Sequence, residues 1–322
     1  MNSKISSILK KGNSSSASMI TIVLIVMCIG LNLINNAFLS KYNVSTLIRT
    51  ASFTTIVAFG QTLVLLTGGI DLSVAGIAGV SGIISAWLMV NTGINPFLCI
   101  LITIMAGFAA GCINGLIITK VKLVPFIVTL ATGEIFGGLI YLITQGWPIQ
   151  NIPASVTVLG RGMVGMIPVP VIIMLIIGIA LMIVLKYFPF GRYIYALGGN
   201  ENAARITGVK TDKIKIIVYG LSGLLSAIAG ILITCRLGAA QPSVGSGWVM
   251  PSVTAAIIGG TSLLGGQGGI GGTIIGSILM GVIANAIVLL SISPYGEKVI
   301  VGVVVLVAVA IDRLRTNGNK SN

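Results

Sequence analysis

From Met19 to Ile311 the chain is a succession of apolar runs parted by short polar breaks. A helix of roughly 20 apolar residues crosses the hydrocarbon core of a bilayer. An ordinary soluble domain carries about 25% charged residues, and this chain carries 8%. Too little charge is left to dress a water-facing surface. The expected fold is all-α, a polytopic transmembrane helical bundle set in a lipid bilayer.

Ten spans are expected, at about 19–38, 46–67, 72–90, 96–119, 124–144, 168–188, 214–235, 252–264, 272–291 and 297–311. The eighth is short for a crossing helix, so it reads as tilted, broken or continuous with the ninth. A Pro-bearing connection, 145–167, joins the fifth and sixth. Residues 1–18 read as a cytoplasmic tail followed by a retained first span, since no small-residue cleavage site is clear. Residues 19–312 read as one transmembrane domain and 313–322 as a second cytoplasmic tail.

Ten crossings put both termini on one side, and the excess of Lys and Arg marks the inside. One set of segments holds Lys4, Lys10, Lys11, Lys120, Lys122, Lys186, Arg192, Arg205, Lys210, Lys213, Lys215, Arg313, Arg315 and Lys320. The other holds only Lys41, Arg49, Arg161, Arg236 and Lys298. The bias predicts both termini inside. Because the cations are scattered between apolar segments, the net charge of +13 does not point to nucleic acid.

Several chemistries are excluded or weakened. With no histidine in the chain, imidazole mechanisms are excluded. Cys28, Cys99, Cys112 and Cys235 lie in or at the ends of apolar runs without metal-ligand spacing, as small packing residues do. No G-x-x-x-x-G-K-[ST] loop is present to cradle phosphates. The run Gly266 to Gly271 matches G-x-G-x-x-G but lacks a flanking strand and a later acid, so it reads as a tight re-entrant turn. No cofactor or metal is expected on this chain. Glycines at small-xxx-small spacing (Gly107, Gly111, Gly115; Gly133, Gly137; Gly272, Gly276; Ser277, Gly281) predict close helix contacts.

One polar island interrupts the apolar pattern, within about 190–214. Asn200 has the chemistry of an N-cap, Glu201 stands at the positive end of a helix dipole, and Arg205 follows at i+4. Gly208 suits the left-handed conformation that ends a helix. Glu201 to Thr207 therefore reads as a short capped helix outside the membrane. By local chemistry alone it is either a docking element or a solvated loop.

Only two acids fall within or beside the apolar segments before the island, Asp71 and Glu134. Ionisable groups there face the protein interior or water. Gly68, Gly69, Asp71 and Ser73 read as an interrupted helix. Asp71 is open to two roles, a cap at the turn or a lining of a transport path. Glu134 is open to path lining or to a bond across helices. Gln61 and Asn114 are weaker candidates of the same kind.

Three stretches carry a resemblance: GRYIYALGGNENAARITGVKTDKIKIIVY from Gly191 to Tyr219, VLLTGGIDLSVAG from Val64 to Gly76, and AAIIGGTSLLGGQGGIGGTIIG from Ala255 to Gly276. Together, in order, they resemble the membrane subunits of bacterial ATP-binding-cassette sugar importers of the ribose/xylose/galactose type. The resemblance implies a homodimeric permease of the bacterial cytoplasmic membrane, served by an extracytoplasmic sugar-binding protein and driven by a cytoplasmic ATPase subunit that binds ATP and magnesium. It implies that Asn200, Glu201, Ala203, Ala204, Arg205 and Gly208 form the segment that seats on the ATPase, its small alanines allowing close packing. The implied cargo is ribose or a related pentose, with another small sugar or a furanose signalling molecule as alternatives. From the residues alone, a proton-coupled secondary transporter using Asp71 and Glu134 stays open, and a membrane enzyme finds no nucleophile–base cluster to support it.

Overall fold

A computed structural model describes residues 16–293 and, beyond them, positions 296, 299, 300, 302–304 and 306. Most of the expected N-terminal tail, all of the C-terminal tail and most of the expected tenth span lie outside the described residues.

The helices are α1 (Ser16–Ile34), α2 (Lys41–Leu66), α3 (Val74–Asn91), α4 (Pro96–Leu116, prolonged by a π-helical turn, Ile117–Val121) and α5 (Pro125–Thr144). They continue as α6 (Ala154–Arg161), α7 (Val169–Tyr187), α8 (Pro189–Gly199), α9 (Glu201–Ile206), α10 (Thr211–Leu237), α11 (Val249–Ile258) and α12 (Ile270–Leu289). Between α6 and α7, β1 (Met163–Val164) pairs antiparallel with β2 (Ile167–Pro168). Among the described residues seven helices are long and apolar enough to cross a membrane, and α11 and the Ile20–Ile34 part of α1 are shorter apolar helices.

Proline and asparagine set the starts. Pro96, Pro125 and Pro189 stand in the first turn of α4, α5 and α8, where the missing N–H would have no partner in any case. The Asn95 side chain accepts from Phe97 N at 2.9 Å to cap α4.

The bundle has a buried centre and an exposed rim. α2, α3 and α10 are mostly buried within the chain, whereas α4, α5 and α7 expose most of their surface. α10 packs along α4, α3 and α2. Helices in lipid gain little from excluding water between themselves, so close backbone approach supplies the contact. The glycine stripe of α4 does this as expected. A methyl on Gly107 would come 2.9 Å from the Gly223 carbonyl oxygen, and one on Gly115 2.6 Å from Ile216 Cα, both on α10. Gly272 and Gly276 of α12 likewise meet α11. Gly137 does not follow the pattern, since nothing lies within 4 Å of a methyl built there.

Segments assigned to the same side by the charge bias meet at the same end. At the basic end Lys120 bridges to Asp212 at 3.2 Å and Gly266 N donates to Leu66 O at 3.0 Å. At the opposite end Asn43 and Asn285 bond at 2.9 Å, Arg236 Nη1 donates to Thr50 Oγ1 at 2.9 Å, and Ile149 bridges to Ala240.

Three expectations are corrected. The connection 145–167, for which no element was expected, holds α6 and the β1–β2 hairpin. The eighth span stops at Ile258, six residues short of 264, since Gly259-Gly260 ends the helix and Gly260 takes φ +93. The polar island contains two helices, α8 and α9, where one was expected.

Candidate functional site

Two polar assemblies stand out, one at the basic surface and one inside the bundle. The surface assembly is built on α8 and α9. α8 is amphipathic: Gly191, Ile194 and Leu197 are buried, three residues apart, while Arg192 and Tyr193 are exposed. Asn200 then leaves helical geometry at φ −160, and its side chain accepts from Ala203 N at 3.0 Å. This is the expected cap. Gly208 at φ +87 closes α9, with its N–H donating to Arg205 O and Val209 N–H to Ala204 O, each at 3.0 Å.

α9 is strapped down by charge. Arg205 reaches Glu201 at 3.3 Å and Asp212 at 3.5 Å, and Lys215 reaches Glu201 at 2.7 Å. Arg205 Nη2 also donates to Thr211 Oγ1 at 3.1 Å. The two alanines divide their work. Ala204 is buried against its own chain, and Ala203 is exposed. Ile206 was not expected to matter, yet it is 86% exposed at the end of α9. An isolated isoleucine reads as one more apolar residue until the chain around it has folded.

The buried assembly forms where α2 gives way to α3. Leu66 ends α2, Gly68 turns the chain at φ +74, and α3 begins at Val74, so the interrupted helix is present. Asp71 is wholly buried. Its carboxylate accepts from Ser73 N at 3.0 Å, from Ser73 Oγ at 2.5 Å and from Ser222 Oγ on α10 at 2.8 Å. Gln61 Nε2 on α2 donates to Asp71 O at 2.5 Å, and Asn114 Nδ2 on α4 donates to Ser73 Oγ at 2.8 Å. Tyr219 Oη donates to Ile70 O at 3.2 Å. Asp71 thus ties one turn to α10 and, through Ser73, to α4. It makes a turn-closing bond to Ser73 N rather than a bond to a first-turn N–H of α3.

Gln61, Asp71, Ser73 and Asn114 are therefore brought together, with Gly68 and Gly69 forming the turn beside them. Ser222 and Tyr219 complete the cluster. Glu134 stands apart, exposed on the outer face of α5, and is not part of this network. Because Asp71 is enclosed by its own chain, it lines no open path in this conformation. Among the described residues no group of three or more His, Cys, Asp or Glu is placed to hold a metal ion.

Residues 43–309 match the model of a family described as the permease component of the branched-chain amino acid transport system. The chain is 42% identical over 295 residues, 91% of each sequence, to the ribose import permease protein of Bacillus subtilis strain 168. It is 37% identical to the D-allose transport system permease protein of Escherichia coli K12, covering 91% of this chain and 90% of that one. It is 34% identical to the autoinducer 2 import system permease protein of Photorhabdus laumondii, covering 92% and 90%. No solved structure matches the chain.

Proposed function

The chain belongs to the family of permease components of the branched-chain amino acid transport system type, and from that premise we propose that it is the membrane subunit of an ATP-driven importer that moves ribose or a related sugar into a bacterial cell. The observation that carries the cargo is the similarity along nearly the whole chain to curated ribose import permeases. The allose and autoinducer 2 relatives keep a second sugar, or a sugar-like furanose, within the same reading.

In this reading the basic end faces the cytoplasm, as the cation bias favours, and the membrane is the cytoplasmic membrane. Two copies form the transport unit. A binding protein outside delivers the sugar, and a separate ATPase chain, which binds ATP and magnesium, supplies the work. α9 seats on that ATPase. Support comes from its build: a capped two-turn rod, braced from behind by Ala204 and the ion pairs, presenting Asn202, Ala203 and Ile206 outward. Ile206 offers an exposed apolar knob on a short helix whose neighbours in sequence are polar, the make-up of an apolar anchor with a polar rim.

The low polarity of the bundle fits its work. A permease that receives its cargo from a binding protein needs weak contacts, since a tight site would hold the sugar back.

The test is reconstitution of the chain in proteoliposomes with an ATPase subunit and a sugar-binding protein of an importer of this family from the same bacterium, offered labelled D-ribose, D-allose and leucine. ATP-dependent uptake of a sugar but not leucine is expected. An Ile206→Asp variant should lose at least about tenfold of that uptake, the scale of a central interface residue. Uptake that needs only a proton gradient and survives without ATP would sink the reading.

A further inference from the structure

We propose that Tyr195 and Gly198, at the end of α8, are the positioning residues through which displacement of α9 reaches both interrupted helix pairs of the bundle; the proposal rests on the reading of α9 as the ATPase contact. Two turns meet at this point. One is the break between α2 and α3, and the other is the glycine-rich turn between α11 and α12. They are joined directly, Gly266 N donating to Leu66 O at 3.0 Å.

The end of α8 is wedged into that junction, backbone against backbone. A methyl added at Gly198 would overlap both the Leu66 carbonyl oxygen and the Gly266 nitrogen. One added at Gly265 would come 2.9 Å from Gly198 O and 2.9 Å from Gly68 N. Only glycine permits three chain segments to approach so closely. Tyr195 adds a bond to the second turn, its hydroxyl donating to Gly268 O at 2.9 Å. Partial burial pushes the phenol's ionisation upward, so the hydroxyl stays a neutral donor.

The route onward is also laid out. Gly199 alone separates Gly198 from Asn200, the cap of α9. On the far side, Asp71 and Ser73 carry the first turn's position to Ser222 on α10 and Asn114 on α4. Thr62 Oγ1 and Thr273 Oγ1, 2.6 Å apart, tie α2 to α12 just above the junction. A long side chain would absorb a small displacement by changing rotamer. Backbone packed on backbone has no such slack, and close-packed contacts transmit strain. A shift of α9 thus acts on both turns at once.

The molecule supplies its own control. Nothing lies within 4 Å of a methyl built on Gly199, the neighbouring glycine. The experiment is the reconstituted importer with labelled D-ribose uptake and phosphate release measured together, so that sugar moved per ATP is read directly. Tyr195→Phe keeps the ring and removes the bond to Gly268; it should assemble normally and hydrolyse ATP while sugar moved per ATP falls about threefold to tenfold, the scale of one hydrogen bond. Gly198→Ala should lower the ratio further, and Gly199→Ala should leave it within about twofold of wild type. If Gly198→Ala fails to assemble, Tyr195→Phe decides alone. An unchanged ratio in Tyr195→Phe, or an equal loss in Gly199→Ala, overturns the proposal. Wild-type vesicles that hydrolyse ATP but import no sugar overturn the importer reading instead, and this proposal with it.

Discussion

The two polar assemblies use the same vocabulary to opposite ends. Around Asp71 a single carboxylate is wholly enclosed and satisfied by hydroxyls and a backbone N–H. Around α9 two carboxylates meet Arg205, Lys215 and Lys120, with side chains between 21% and 64% exposed. An enclosed group has no water to fall back on, so losing one partner leaves another unsatisfied, at about 1–3 kcal/mol each. An exposed pair is replaced by solvent at a cost of about 0–1 kcal/mol. The buried cluster therefore holds the bundle together, and the surface cluster is free to be shaped for a partner.

The largest effect should follow from breaking the buried side of this contrast. Asp71→Leu leaves the Ser222 hydroxyl, the Ser73 hydroxyl and the Ser73 N–H without their acceptor and removes the tie between the α2–α3 turn and α10. A loss of at least about 3 kcal/mol is expected from three unsatisfied groups at about 1 kcal/mol or more each. Thermal melting of the detergent-purified chain should show a large drop, with poor recovery of folded protein. Asp71→Asn keeps the size and one acceptor and should lose clearly less. Equal melting temperatures for Asp71→Leu and wild type would show that the cluster is not structural.

A smaller effect should follow at the surface, where backbone conformation and not burial is at stake. Gly208 sits at φ +87 with open space around it, so a side chain there meets no neighbour. The cost is purely that of a left-handed L-residue, about 1–2 kcal/mol. Gly208→Val should melt only slightly below wild type yet lose most uptake, because the end of α9 frays. A variant that transports at the wild-type rate would separate α9 from coupling.

The same contrast explains what the sequence made legible. The long apolar helices were readable because lipid demands unbroken apolar length, and Pro and Gly mark many of their ends. The α9 cap was readable because Asn200, Glu201, Arg205 and Gly208 interact within a few residues. The Asp71 cluster was half readable. Gln61, Asp71, Ser73 and Asn114 stood out as polar residues in apolar runs, but nothing local says that they meet. Ser222 carries no local signal, because a serine among Gly, Leu and Ala of α10, with Ser226 one turn on, reads as a small packing residue. α8 carries a weak sequence signal because its buried face is only Gly191, Ile194 and Leu197, too short a pattern beside Gly198, Gly199 and two tyrosines. Glu134 kept its ambiguity: the fold separates it from the buried cluster and turns it outward on α5.

The smallest change in stability should come from exchanging the charges of α9, and here the comparison is sharpest. An isolated Glu201–Arg205 pair would tolerate exchange, since the attraction between the two is restored. This pair is not isolated. Arginine at 201 would face Lys215, which now lies 2.7 Å from Glu201, and glutamate at 205 would face Asp212, now 3.5 Å from Arg205. The exchange also places a cation at the positive end of the helix dipole. Each term is worth at most about 1 kcal/mol in a solvated setting, so the melting temperature of the Glu201→Arg, Arg205→Glu double variant should fall by only a few degrees. Raising the salt concentration should shrink that difference further, because exposed charges are screened. Uptake should nevertheless collapse, since the orientation of α9 depends on which residues of α10 its charges hold. If the double variant imports sugar normally at low salt, the ion pairs brace nothing that transport needs.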